Sequence, residues 1–249
     1  MSHPAVSTRS TVIGHPARYE REATAAVAAA LAGLAYHRFG RPRMLRWGIS
    51  EQEARRPLPG DELVPDPSPG NNSTHAIVID APPSAVWPWI VQIGHNRGGW
   101  YSHEWVERLF GIRYAEGRSA TWIHPELQDL RVGDRIPYSP LNSIPVVAIA
   151  PQRYLIIGNS VAWVLEDLGE GRTRLIVRTR GHGWLKALFR KIPVLRQLGA
   201  AIDYAIGEPL HHYMEKGMCI GIAKRAARPG SPGFHSPRVS ALARGPKDP

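Results

Sequence analysis

The chain has 249 residues, 43% of them hydrophobic and 21% charged, the composition of an ordinary water-soluble globular protein. Its 31 Lys and Arg against 21 Asp and Glu leave a formal charge of +10. The basic residues are scattered, not gathered on one recognition element with stacking aromatics, so nucleic acid is not expected as a partner. The one cysteine, Cys219, excludes an intramolecular disulfide and argues against a cysteine-based metal site, and a reducing, cytoplasmic setting is expected.

In chain order, residues 1–19 carry no apolar core, do not read as a secretory signal, and are expected to be disordered. ATAAVAAALAGLAY, 23 to 36, predicts a helix over 20–38 that ends at Gly40 and Pro42. It is too short and too weakly apolar to span a membrane, which takes roughly 20 apolar residues. EARRPLPGDELVPDPSPGNNS, from Glu53, is broken by prolines and glycines and reads as an arm leading into a domain. HAIVID, 75 to 80, is a β-branched run bounded by turn residues, hence a strand. APPSAVWPWIVQIG then predicts a helix with Val86, Trp89, Ile90 and Ile93 on one face, and Pro88 inside it demands a kink or a late start.

Gly94 to Tyr101 is a loop, Ser102 is the predicted N-cap of a short helix over 103–110, and Gly111 is its predicted stop. Strands follow at 133–139, 144–151, 153–159, 161–168 and 173–181, separated by short turns, the spacing of an antiparallel meander with LGEGRT as a hairpin connection. WLKALFRKIPVLRQLGAAIDYAI returns the chain to helix, broken near Pro193. A last helix covers 209–226, where Leu210, Met214, Met218 and Ile222 recur every fourth position and are expected to face apolar neighbours. The prediction is a disordered segment and alanine-rich helix over 1–56, one domain over 57–228, and a disordered tail over 229–249.

PLPGDELVPDP, IDAPPSAVWPWIVQIGHNRGGWYS, VGDRI, TRLIVRTR and PLHHYMEKGMCIGIAKRA together resemble the SRPBCC (START-like) superfamily, and within it the bacterial members described as polyketide cyclase/dehydrase-like. The resemblance covers about residues 57–228. It implies an α+β helix-grip fold: a curved antiparallel sheet wrapped around a long C-terminal helix, two short helices after the first strand, and an apolar cavity between sheet and helix. The superfamily includes lipid carriers, hormone receptors, cyclases and aromatases, so the fold does not choose among activities.

QIGHNRGGWYSHEWVERLFG, 92 to 111, concentrates the candidate residues. It matches neither phosphate-binding glycine pattern, and its glycines read as a tight connection between helices. His95, Tyr101, His103 and Glu104 are the candidates for acid–base chemistry, because histidine titrates near neutrality. In the implied fold the loop roofs the cavity mouth, which makes Arg97, Trp100, Tyr101 and Trp105 candidate ligand contacts, since aromatics combine apolar area with a polar handle. Trp122, Trp163, Arg178, Met214 and Met218 complete the ligand-binding set. Trp163 shares a strand face with Val161 and Leu165. Arg178 lies on one face with Arg174 and Arg180, either solvated on the convex side or turned inward to meet a ligand anion.

His211 and His212 are helix neighbours about 100° apart and cannot ligate one ion from one face, so neither a metal nor a cofactor is expected. GWLKALFRKIPVLRQLG, 183 to 199, is basic and amphipathic: an ordinary helix over the sheet edge, or a weak contact with an anionic membrane that would make the protein peripheral. The expected function is binding of a hydrophobic or amphipathic small molecule, lipid or polyketide-like, in an internal cavity. The alternatives are a cyclase, aromatase or dehydratase acting on a ketide-like substrate, and a peripheral lipid-transfer protein. Two or more ionisable groups converging on the pocket would mark an enzyme, and a lone polar anchor a carrier.

Overall fold

The computed structural model describes residues 16–63, 72–180 and 193–228, which group into two compact units, one up to Arg43 and one from Met44 onward. Residues 1–15 and 229–249, expected to be disordered, lie outside the described residues, as does 183–192 of the basic amphipathic segment. No helix among the described residues is long and apolar enough to cross a membrane.

The alanine-rich helix starts earlier and ends later than its sequence suggests. Helix α1 covers Pro16–Ala35 and continues through a π turn, Tyr36–Gly40, into α2, Arg41–Leu45. Pro16 opens it because the first amide of a helix has no partner to lose. Gly40 and Pro42 do not stop it. The Arg41 N–H reaches back five residues to the Tyr36 carbonyl, so Pro42 enters the first turn of a new α segment, where its missing N–H is harmless.

The second unit runs α3 (Glu51–Ala54), β1 (Ser73–Ile79), α4 (Pro83–Val91), α5 (Glu104–Leu109), β2 (Arg135–Ser139), β3 (Asn142–Ala150), β4 (Tyr154–Ile157), β5 (Val161–Gly169), β6 (Arg172–Thr179), α6 (Pro193–Ile202), a π turn (Asp203–Gly207) and α7 (Glu208–Ala226). The strands form one antiparallel sheet in the order β1-β6-β5-β4-β3-β2, a five-stranded meander with β1 added beside its last strand. The β5–β6 turn places Glu170 and Gly171 at φ 52° and 70°, the doubly positive pair that matches the twist of a two-residue hairpin. Helices α4 and α7 pack on one face of this sheet, which is the α+β helix-grip arrangement.

Strand alternation sorts the sheet into two covered faces. Toward α7 point Ile79, Leu155, Ile157, Trp163, Leu165, Leu175 and Val177, which form one core with Val86, Trp89, Ile90, Met218, Cys219 and Ile222. Helix α4 starts at Pro83 without delay, since a proline at Pro88 costs it only the bond to the Ser84 carbonyl. On the opposite face Ala76, Ile156, Ala162, Val164 and Ile176 form a second, smaller core under Leu58 of the proline-rich arm.

That covering corrects both expectations for Arg178, which is neither solvated nor turned toward the concave side. It is buried under the arm, donating to Asp61 Oδ2 at 2.5 Å, the Ala54 carbonyl at 2.7 Å, the Arg56 carbonyl at 3.1 Å and Thr74 Oγ1 at 3.2 Å. Arg174 pairs with Glu53 at 2.8 Å and Arg180 with Asp61 at 3.1 Å. A proline- and glycine-rich stretch has few internal hydrogen bonds, and here the arginines of β6 supply donors to its carbonyls and acids.

Ser102 is not the N-cap of α5. That position belongs to His103, which makes no side-chain capping bond, while the Ser102 hydroxyl donates to the Met214 carbonyl of α7 at 2.6 Å. Two glycines one turn apart on α7 admit this loop. A methyl on Gly217 would lie 2.7 Å from Ser102 Oγ, and one on Gly221 would overlap the Tyr101 carbonyl oxygen. Tyr101 itself takes φ 57°, with its ring under the Arg225 guanidinium at 4.7 Å.

Candidate functional site

The chemistry-bearing cluster of the concave face lies at the N-terminal end of α7. Strands β1 and β6 pair with Ser73 opposite Thr179 and His75 opposite Val177, so the two hydroxyls rise side by side toward the helix with His75 two residues along. Above them α7 sets Glu215. Its Oε2 accepts from Ser73 Oγ at 2.9 Å and lies 3.0 Å from His211 Nε2 and 3.2 Å from His75 Nδ1, and its Oε1 accepts from Thr179 Oγ1 at 3.1 Å. His75 Nε2 in turn stands 3.0 Å from the Met44 carbonyl and 3.2 Å from His212 Nδ1. The two histidines that the sequence placed on different helix faces thus meet one carboxylate from different sides, His211 directly and His212 through His75.

Burial pushes the Glu215 carboxyl up, but the His211 and His75 interactions overcome it and leave its pKa far below the usual carboxylate range. Burial likewise pulls His211 down, and the Glu215 charge and hydrogen bond, with Asp203 and Glu208 adding, turn the balance and raise it. For His212 burial dominates, the His75 and Lys216 charges add to it, and the pKa falls to about 4. The Cys219 thiol one turn on is pushed well up, first by burial and then by Glu215, and is a packed core group.

His212 carries a pH dependence of its own. A histidine whose folded pKa is depressed stabilises the fold above its unfolded value, near 6.5, and that contribution is lost as pH falls toward the folded value. The unfolding midpoint is therefore expected to fall between about pH 6.5 and 4, and His212→Gln to flatten that part of the profile. Thermal melts across the range check it, and an unchanged slope in the variant would remove His212 from the titration.

The core that faces α4 and α7 has a half-covered apolar margin. Trp100, Ile144 and Val161 pack against the main core yet stay partly exposed, as does Met214. The side chain of His211 keeps 38% of its surface free, and Tyr138, edge-on to Trp100 at 4.9 Å, keeps 39%. Burial, and then the Glu215 charge, raise the Tyr138 pKa, which keeps its hydroxyl a proton donor at neutral pH.

The sequence-predicted residues distribute differently. His95 is buried, its Nδ1 accepting from the Arg113 amide at 2.9 Å, and burial, with Arg113, lowers its pKa. Arg97 closes the end of α4 by donating to the carbonyls of Ile93 at 3.0 Å and Val91 at 2.9 Å. Tyr101 is core, set edge-on to Trp89 at 5.9 Å. His103 stacks on Tyr213 at 3.7 Å, and Glu104 accepts from the Ser119 amide at 3.0 Å. Each of these candidates for acid–base work is therefore engaged with a different partner in holding the loop. Trp105 is 65% exposed, and Trp122 is 48% exposed with its indole N–H on Glu116 at 2.8 Å. Trp163 and Met218 are buried core, while Trp100, against Tyr138, and Met214 are only partly buried.

No family model matches the chain, and no curated protein does. Among solved structures, a polyketide-cyclase-like protein of Corynebacterium glutamicum is similar over 61% of this chain and 89% of its own, with 17% identity and a TM-score of 0.30. A conserved protein of unknown function from Enterococcus faecalis is similar over 63% of this chain and 93% of its own, with 14% identity and a TM-score of 0.27. The KanY protein is similar over 64% and 99% of the two chains, with 13% identity and a TM-score of 0.31. The helix-grip arrangement rests on this chain's own strand order and helix placement.

The cluster escaped the sequence reading for a definable reason. An i+4 stripe on a helix drifts by about 40° per step. The face of α7 that is buried therefore holds Glu208, Glu215, Met218, Cys219, Ile222 and Ala226, while Leu210 and Met214 sit at its margin. The available signal was His211-x-x-x-Glu215, an acid and a base one turn apart on the helix that must face the sheet.

Proposed function

We propose that the protein binds an amphipathic small molecule on the concave side of the sheet, with its polar end at His211 and Tyr138 and its apolar body along Trp100, Ile144, Val161 and Met214. The observation that carries this is the partial exposure of His211. By helical position it belongs to the buried face with Glu215, Met218 and Ile222, yet 38% of its side chain is free. A side chain in such a place that is not packed lines a hollow. An apolar wall with few convergent polar groups is the common character of small-molecule sites.

The test uses 2-naphthol, an aromatic alcohol of matching polarity, titrated against intrinsic tryptophan fluorescence. Trp100→Ala is expected to weaken its binding about tenfold, the loss of roughly 1.4 kcal/mol of contact. Trp105→Ala, which removes an exposed ring, is expected to leave it unchanged. Equal weakening by both variants, or by neither, sinks the reading.

Acid–base turnover on a ketide-like substrate is the second reading, and the seating of the half-exposed His211 against Glu215 favours it over a passive carrier. With Nε2 of His211 turned to Glu215, Nδ1 is left to exchange a proton with a bound molecule, a carboxylate standing behind an imidazole as general acid–base catalysis requires. Proton exchange into a bound ketone that disappears in His211→Gln while 2-naphthol still binds would separate an enzyme from a carrier.

A further inference from the structure

Every residue of helix α1 from Tyr19 to Ala35 is exposed, and from Ala23 to Tyr36 the chain carries no charged side chain. Alanine explains why the segment is helical, since it is the strongest helix former. It does not explain Val27, Leu31 and Leu34, which stand at i, i+4 and i+7 and so share one face. These three and Phe39, in the π turn beyond, keep 55% to 63% of their surface free. Single exposed aliphatic residues are common on protein surfaces, whereas a row along one helix face is the mark of a face that meets a partner.

Charge says what kind of partner. Between Glu22 and Glu51 the chain has no acid, and Arg38, Arg41, Arg43 and Arg46 all fall there. Glu51 compensates Arg46 at 2.8 Å. Two of the other three arginines bracket Phe39 and are exposed: the Arg38 guanidinium lies 5.5 Å from the centre of its ring, and Arg43 donates to its carbonyl at 3.1 Å. The apolar row therefore ends on an aromatic ring between two cations. A second copy of the chain is a poor match, because it brings the same positive surplus, and its acids Glu20 and Glu22 sit beside Arg18 and Arg21. A bilayer with anionic headgroups offers what the row needs, an apolar layer beneath a negative surface.

We propose that α1 docks the protein on an anionic membrane, lying in the interface with Val27, Leu31, Leu34 and Phe39 at the acyl boundary and Arg38 and Arg43 on the lipid phosphates. The row from Val27 to Phe39 is about 18 Å long, too short to cross a hydrocarbon core of roughly 30 Å. It is long enough to lie along one, as interfacial helices do, with the long arginine stems covering apolar surface while their heads reach the headgroups. On the opposite face Ala25 and Ala29 remain toward water, where a methyl group loses little.

The experiment sediments the full chain with vesicles of phosphatidylcholine alone, and with vesicles of equal parts phosphatidylcholine and phosphatidylglycerol. The wild type is expected to bind only the anionic vesicles, and less as sodium chloride is raised, because salt screens exposed charge. Leu31→Gln combined with Leu34→Gln is expected to weaken binding about tenfold or more, through the loss of buried apolar area. Arg38→Gln combined with Arg43→Gln is expected to weaken it as well and to flatten the salt dependence. Ala25→Gln combined with Ala29→Gln puts the same amides on the opposite face and is expected to bind as the wild type does. All these positions are exposed, so no variant removes a buried side chain. Without lipid the chain is expected to sediment as a monomer. No binding to anionic vesicles, binding that survives the leucine changes, or equal weakening by the leucine and alanine variants overturns the proposal. So does a lipid-free dimer that dissolves in the leucine variant, which would give the row to a second copy.

Discussion

Gly221→Ala is expected to destabilise the domain by about 3 kcal/mol, the upper range for overpacking a closed contact, although alanine is by itself the better helix former by about 1 kcal/mol. The added methyl would overlap the Tyr101 carbonyl oxygen and stand 2.9 Å from Tyr101 Cβ, so both the backbone and the root of a buried ring oppose it. A carbonyl in the loop cannot rotate out of the way without moving Tyr101, whose ring is fixed against Trp89 and Arg225. Gly217→Ala supplies the contrast. Its methyl meets Ser102 Oγ and the His103 ring, side-chain atoms that can turn aside, and a smaller loss is expected. Urea denaturation followed by circular dichroism measures both. A neutral or stabilising Gly221→Ala would mean that the loop is not seated on α7.

Glu215→Ala is expected to cost about 3–5 kcal/mol, the range for breaking a buried, hydrogen-bonded charge cluster by removing one member. It leaves the hydroxyls of Ser73 and Thr179 without their acceptor and removes the carboxylate that stands against His211 and His75. Glu215→Gln keeps the shape and most hydrogen bonds and is expected to cost less. The pH dependence of the gap between wild type and Glu215→Gln follows from the two shifts. The folded carboxyl is depressed, so its contribution is present above the unfolded value near 4.3 and is lost as pH falls through the folded value. The folded His211 is raised, so its contribution is present below the unfolded value near 6.5 and is lost as pH rises through the folded value. The gap is therefore expected to be widest between about pH 4.5 and 6.5 and to narrow on either side. A gap independent of pH would show that the cluster is held by hydrogen bonding alone. An NMR titration of His211 should show its pKa dropping in Glu215→Gln.

The elements that the sequence made legible are those whose pattern is local. All six strands fall within a few residues of their predicted positions, because alternation and turn residues report the backbone directly. Val86, Trp89 and Ile90 of α4, and Ile93 just past its end, are buried as their spacing requires. The errors have a different origin. Gly40 and Pro42 look like a helix stop until a π turn changes the register of the hydrogen bonds, and Ser102 looks like a cap until its hydroxyl is found donating to the Met214 carbonyl of α7. In the loop from His95 to Glu104, histidine, arginine and glutamate suggested chemistry, yet His95, Arg97 and Glu104 are engaged with backbone groups of the segments on either side, and His103 stacks on Tyr213.

By itself the sequence determined that this is an α+β chain with a six-stranded antiparallel sheet, a long last helix and a proline-rich approach, since each follows from periodicity and turn chemistry along a single segment. The tertiary structure alone decided where its charges act. Ser73, His75 and Thr179 reach Glu215 across as many as 142 residues of chain, and Arg178 reaches Asp61 across 117. Which face of β6 the arm would cover, and which acid each base would meet, depends on how distant segments stack. No local pattern encodes it, because a strand alternates in the same way whichever of its faces is roofed by a helix and whichever by an arm.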